Sequence, residues 1–386
     1  MQHGYGSINA LTSTIHALLF PRESHLATDI QSPFSPDYST ARRRFLSKCK
    51  ARGAAMECLP ISAKGPQQTA LSVDIAWLGN PNAKRVILHS SGLHGIEGFA
   101  GSAIQLDLLD NLPEIPEDGA IVLVHILNPY GMAWLRRVNE SNVDLNRNFL
   151  GDNEVYGGAP KAYELLDSTL NPPTPPSFDF FLLRTLQRIL RHGYNSLKQS
   201  IVGGQYQFEK GLFFGGSHME EGPLAYSQWI QKNLSNADYV VGIDIHTGLG
   251  KYGEDTLLVE GDSSTALYQE MEQAFGSRVA PWDAEESVAY AIRGGHPGAV
   301  VQNLPESTVH FVTQEFGTLA PLKVLHALRE ENRWHHWGDG TLDHPTKKRL
   351  LDAFRPDKEQ WRESILTRGR EVALQAVRMA FDSNSP

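Results

Sequence analysis

Apolar positions recur along this chain with two alternating periods, and the alternation predicts its architecture. Short, continuously apolar runs rich in β-branched residues fall at 71–78, 86–89, 120–127, 239–245, 256–259 and 309–315. Runs of this kind predict strands buried on both faces of a sheet. Between them, apolar residues at 98–109, 178–192, 224–233, 266–275, 321–334 and 358–381 follow a helical period. The resulting fold class is α/β, a three-layer sandwich around a mixed, largely buried central sheet.

Punctuation divides the chain unevenly. Residues 1–60 read as an N-terminal extension packed on the core, with a basic helix over 39–51 that carries Arg42, Arg43 and Arg44. Residues 61–386 read as a single catalytic domain. Four prolines between Asn171 and Pro176 open an insertion around 171–222. His335 and His336 adjoin at an expected exposed helix end, where substitution should be silent.

Composition narrows the class of protein. With 41% hydrophobic and 20% charged residues over 386 positions, the chain resembles an ordinary globular enzyme. A net charge of -9 argues against nucleic-acid binding, which needs a basic face. No run of about 18 apolar residues is present, so no membrane span is expected. The two cysteines, Cys49 and Cys58, allow neither a disulfide framework nor a cysteine metal site. Together with an N-terminus that lacks a basic, cleavable leader pattern, they point to a reducing, cytoplasmic location.

Candidate chemistry gathers just beyond the ends of strands, where α/β folds place functional groups. His94 and Glu97 follow the 86–89 run in Gly92-Leu93-His94-Gly95-Ile96-Glu97-Gly98. An imidazole and a carboxylate three residues apart supply half of a catalytic zinc site, which needs three protein ligands and an open position. A second pair of the same spacing, His218 and Glu221, sits in a glycine-rich loop and reads as solvated surface. His246 and Glu315 end two further strands among apolar neighbours, where a charge is costly unless paired. Asp244 leaves its strand on the same side as His246 and is placed to support it. Between these strands, 128–149 is dense in Asn and Arg, and the arginine fork suits carboxylate recognition.

The order of these pieces resembles the zinc carboxypeptidase family. Its His-x-x-Glu pair, Asn-Pro-x-Gly…Arg…Asp-x-Asn-Arg-Asn segment, lone His and later Glu match His94/Glu97, the stretch from Asn128 to Phe149, His246 and Glu315. The matching stretch covers residues 70 to 320. The resemblance implies one Zn2+ held by His94, Glu97 and His246, with Glu315 as general base and acid. It also implies Arg137 as the group that polarises the scissile carbonyl, with its neighbour Arg136 as second choice. Asn146 and Arg147 match the pair that holds a substrate carboxylate, Asp144 the carboxylate that orients a zinc-bound histidine, and Tyr290 a substrate-capping tyrosine.

Gln314-Glu315-Phe316-Gly317-Thr318 is similar to the related aspartoacylase and desuccinylase deacylases. The implied activity is hydrolysis of an amide next to a free carboxylate, on a small peptide or an N-acyl amino acid. An N-acyl amino acid deacylase is the alternative within this class, and a catalytically inactive zinc-containing binding module the alternative outside it. A serine hydrolase is not expected, since Ser90, Ser91 and Ser217 do not stand in Gly-x-Ser-x-Gly.

Overall fold

A computed structural model describes residues 32–382 apart from 182, 186, 188–198, 200, 261–262 and 283–291. Eight strands form one mixed sheet: β1 (Ala55–Lys64), β2 (Ala70–Gly79), β3 (Arg85–Ser91), β4 (Gly119–His125), β5 (Tyr239–Tyr252), β6 (Asp255–Val259), β7 (Val279–Pro281) and β8 (Thr308–Gly317). Their spatial order is β1-β2-β4-β3-β5-β8-β6-β7. The four central strands β4, β3, β5 and β8 run parallel, and antiparallel strands flank them.

Alternation along the strands explains the layers. In β5, Val241, Ile243 and Ile245 point to one face. They pack beneath helices α1 (Tyr38–Ala51), α2 (Gly98–Asp110) and α10 (Glu359–Phe381), through Phe45, Ala103, Ile104, Trp361, Ile365 and Val372. Val240 points to the other face, against Tyr226 and Trp229 of α5 (Glu221–Leu234) and Val300 of α7 (His296–Asn303). Two-sided burial is why these strands read as continuous apolar runs rather than as alternating ones.

The remaining helices are α3 (Pro129–Ala133), α4 (Lys161–Leu170), α6 (Ala266–Phe275), α8 (Pro321–Trp337) and α9 (Pro345–Phe354), so labelled among the described residues. α8 and α9 pack on α4 through Val324, Leu328, Leu350 and Phe354, forming a third apolar cluster above the strand ends.

The apolar pattern foretells six strands. It misses β1, whose outward positions are exposed, and β7, which has only three residues. β1 crosses residue 60 and pairs along β2, so the chain on either side of that position shares one strand. Arg42 of α1 reaches Asp74 of β2 through two hydrogen bonds of 2.6 and 2.9 Å. Cys49 is buried and Cys58 exposed, both as thiols. The helical expectation over 178–192 falls largely outside the described residues. His335 and His336 are half-buried rather than exposed, and burial lowers their pKa values to about 3 and about 4. Among the described residues, no helix is long and apolar enough to cross a membrane.

Candidate active site

The sheet's topology places the site. From β3 the chain moves one way to β4 and later the other way to β5, so a crevice opens where the strand order reverses. His94, Glu97, His246 and Glu315 all lie at this end of the parallel strands.

Three of them face a common point. His94 Nδ1 lies 3.0 Å from Glu97 Oε1, His246 Nδ1 3.3 Å from Glu97 Oε2, and the two Nδ1 atoms 3.1 Å apart. Four donors at zinc bond lengths of about 2.0–2.1 Å in a tetrahedron stand roughly 3.3 Å from one another. The observed spacings therefore suit a small divalent ion. All three residues are buried, and they form the one group of potential ligands found among the described residues.

The opposite edge of each imidazole is held by a carboxylate. Asp144 Oδ1 lies 3.0 Å from His94 Nε2, and Asp244 Oδ2 lies 2.7 Å from His246 Nε2. At His246 this contact sets the tautomer, so that Nε2 carries the proton and Nδ1 presents its lone pair; His94 Nε2 also lies 2.8 Å from Arg137 Nη2. Asp244 receives a further hydrogen bond from Ser90 Oγ at 2.8 Å, its register neighbour on β3. Positive neighbours hold both carboxyls below the usual range despite burial, Arg147 foremost for Asp144 and His246 for Asp244.

Glu315 stands directly beside His246, because the two are register partners on β8 and β5. Its Oε1 accepts a hydrogen bond from the Leu249 amide at 2.9 Å. Burial pushes its pKa up to about 7, and the nearby Glu97 charge adds to the rise. Its position off the donor cluster and its affinity for a proton near neutrality suit proton transfer better than ligation.

The arginines separate clearly. Arg137 lines the cavity and donates to Glu97 Oε1 at 2.8 Å. Arg136 turns away, fully buried, to Glu331 Oε1 at 3.1 Å and Asn142 Oδ1 at 2.9 Å, where Lys347 also meets Glu331 at 2.6 Å. Asn146 lines the cavity and accepts a hydrogen bond from the His296 amide at 3.0 Å.

Arg147 departs from the expectation of a carboxylate clamp. Its guanidinium is fully buried and bound to Asp144 and to the Val202 carbonyl, so it does not reach the cavity. Tyr290 lies outside the described residues. His218 is exposed in its loop, and Glu221 accepts from the Ser62 amide and hydroxyl, as surface groups do.

Two close approaches lock the site's turns. A Cβ on Gly95 would fall 2.3 Å from backbone atoms of Gly131, so the turn between His94 and Glu97 rests directly on the turn that starts α3. The amides of Gly95 and Ile96 then bond the carbonyls of Arg137 and Arg136 at 3.1 and 2.8 Å.

The sequence pattern did not single out His296. Its ring bridges Asp244 Oδ2 and the Tyr226 hydroxyl, each at 3.2 Å. Gly294-Gly295-His296-Pro297, a turn followed by proline at a helix start, was the available signal.

No curated protein matches the sequence. Solved structures similar to it include a protein from Shewanella amazonensis SB2B provisionally assigned as a metallopeptidase, with 14% identity over 83% of this chain and 94% of that one and a TM-score of 0.44. Carboxypeptidase A from Helicoverpa armigera is 14% identical over 83% of this chain and 74% of that one, with a TM-score of 0.43. The murein-tripeptide amidase MpaA from Escherichia coli O157 is 18% identical over 74% and 95%, with a TM-score of 0.35. A family model spans residues 34–368, and by that match the chain belongs to the family described as Protein of unknown function (DUF2817).

Proposed function

We propose that this protein is a zinc-dependent hydrolase of amide bonds. The observation that carries the reading is the donor cluster of His94, Glu97 and His246, each imidazole backed by its own aspartate, with Glu315 alongside. When bound, the ion supplies Lewis acidity toward a carbonyl and acidifies water.

The chain's own residues supply the rest. Glu315 takes a proton from the attacking water and returns it to the departing nitrogen, a role that contributes about 10²- to 10⁴-fold. Arg137, the cation of the cavity wall, stabilises charge developing on the carbonyl oxygen, worth about 3 kcal/mol for one well-placed donor. Asn146 has its carbonyl occupied by the His296 amide, which directs its NH2 group toward a bound substrate. Asp244 keeps the His246 imidazole in the ligating tautomer, and Asp144 orients His94.

Peptides and N-acyl amino acids are the substrate classes this arrangement serves. A poised Glu315 beside the donors favours an enzyme over an inert binding module. The test is removal and restoration of metal. Hydrolysis of a mixed library of peptides and acylated amines, read by mass spectrometry, should vanish on exhaustive chelation and return with stoichiometric Zn2+. Undiminished hydrolysis by metal-free protein would defeat the proposal.

A further inference from the structure

A cavity of ≈ 100 Å³ opens directly off the candidate catalytic groups. His94, Arg137, Asn146, His246 and Glu315 stand at one end. Much of the remaining lining is apolar, with Leu249, Leu322, Leu325, Leu328 and Phe354 among it. α8 supplies part of this surface through Leu322, Val324, Leu325 and Leu328. Arg137 is the only lysine or arginine among the described lining residues, and the hydrolase reading assigns it to the carbonyl oxygen.

A second observation concerns Arg147. Its two terminal nitrogens are engaged by Asp144 and the Val202 carbonyl. The Phe213 ring, part of the cavity wall, covers the guanidinium with its centroid 5.2 Å away. Behind it, Gly204 at φ +95° comes so close that a Cβ would lie 2.4 Å from Arg147 Cδ. The bridge between Gln205 and Phe214 ties these two stretches together. A substrate carboxylate entering the cavity would be stripped of water, at a cost of several kcal/mol, without a bidentate partner to offset it. An apolar group meets walls that gain from its burial.

Resting on the hydrolase reading, we infer that the substrate is an amide recognised through a bulky, uncharged apolar group in this cavity and not through a free carboxylate on Arg147. Phe213 and the 201–205 loop are the specificity-determining elements, because they stand between the cavity and that arginine.

The test compares N-benzoyl-2-phenylethylamine, N-benzoylphenylalaninamide, N-benzoylphenylalanine and N-benzoylaspartate on zinc-loaded protein. These share the scissile amide and differ in charge and apolar bulk. The two neutral amides should be cleaved at least as well as N-benzoylphenylalanine by kcat/KM, and N-benzoylaspartate at least 100-fold worse. Leu325→Asp and Leu328→Arg should each raise KM for the neutral amides by 10-fold or more with a smaller change in kcat. Phe213→Ala should move the preference toward N-benzoylphenylalanine.

A 10-fold or greater preference of the wild-type protein for N-benzoylphenylalanine, lost in Arg147→Ala, would overturn the inference and leave the hydrolase reading intact. Should none of the four be cleaved, calorimetric binding to Glu315→Gln decides. Selective binding of the neutral amides supports the inference about the cavity while the hydrolase reading fails, and equal or tighter binding of the carboxylates overturns it.

Discussion

His246 and Glu315 face each other across adjacent parallel strands, paired residue to residue, so their side chains leave the sheet on one face and side by side. The sheet itself sets the distance between the two side chains. Glu315→Gln preserves the shape of this side chain and removes its basicity. The variant should still bind one Zn2+ per chain by inductively coupled plasma spectrometry while turnover falls about 10²- to 10⁴-fold. Loss of the metal instead would make Glu315 a ligand.

On the proposed reading, Asp244 and Asp144 support a metal through the histidines they hold. Asp244→Asn and Asp144→Asn should each weaken zinc binding by about 10- to 100-fold, measured by competition with a chromogenic chelator. A wild-type affinity in both would remove the carboxylates from the metal's support.

Zinc should also stabilise the fold. Because the donors converge only in the folded chain, ligand at 100-fold over its dissociation constant adds about 2.7 kcal/mol. Thermal unfolding of the metal-free protein should occur several degrees lower and recover on adding Zn2+. Coincident melting curves would argue against a folded-state metal site.

Away from the site, Glu331 is buried between Arg136 and Lys347. Both cations hold its carboxyl below the usual range despite burial. Replacing it with Gln strands two buried cations, and a loss of roughly 3–5 kcal/mol is expected in urea unfolding. A loss below about 1 kcal/mol would show that the network relaxes or hydrates.

Acid should destabilise the protein well above the carboxylate range. His89 and His125 are fully buried, and burial lowers their pKa values to about 4 and about 3. The unfolded chain takes up these protons first, near pH 6.5, so stability falls as pH drops below that value and continues to fall to the folded values. At pH 5 the loss is about 2 kcal/mol for each histidine. Denaturant midpoints at pH 7.5 and pH 5 should show it, with a smaller difference in His125→Asn. A midpoint independent of pH across this range would contradict the burial argument.

The central strands and the convergent group of His94, Glu97 and His246 were legible because burial on two faces and donor chemistry both leave local marks. Val86 to Leu88 could be read as a strand from composition alone, and His94 and Glu97 from spacing. β1 escaped because its outward positions are exposed, which dilutes the apolar signal. His296 was missed for another reason. Its importance lies in what a distant stretch brings against it, Asp244 of β5. Motif order ranked Arg137 ahead of Arg136 for polarising the carbonyl, and Arg137 is the one of the two that lines the cavity. It could not show that Arg147 would be enclosed, since Gly204 and Val202 lie more than fifty positions downstream.

The bare backbone contact between Gly95 and Gly131 makes one mechanical unit of two separate turns. Any side chain added at Gly95 would act as a wedge, prying His94 and Glu97 away from the guanidinium that follows α3. Natural variation in this region should therefore arrive as matched exchanges on both sides of the seam, and an enlarged residue on one side alone should dismantle ion binding and carbonyl activation in a single stroke.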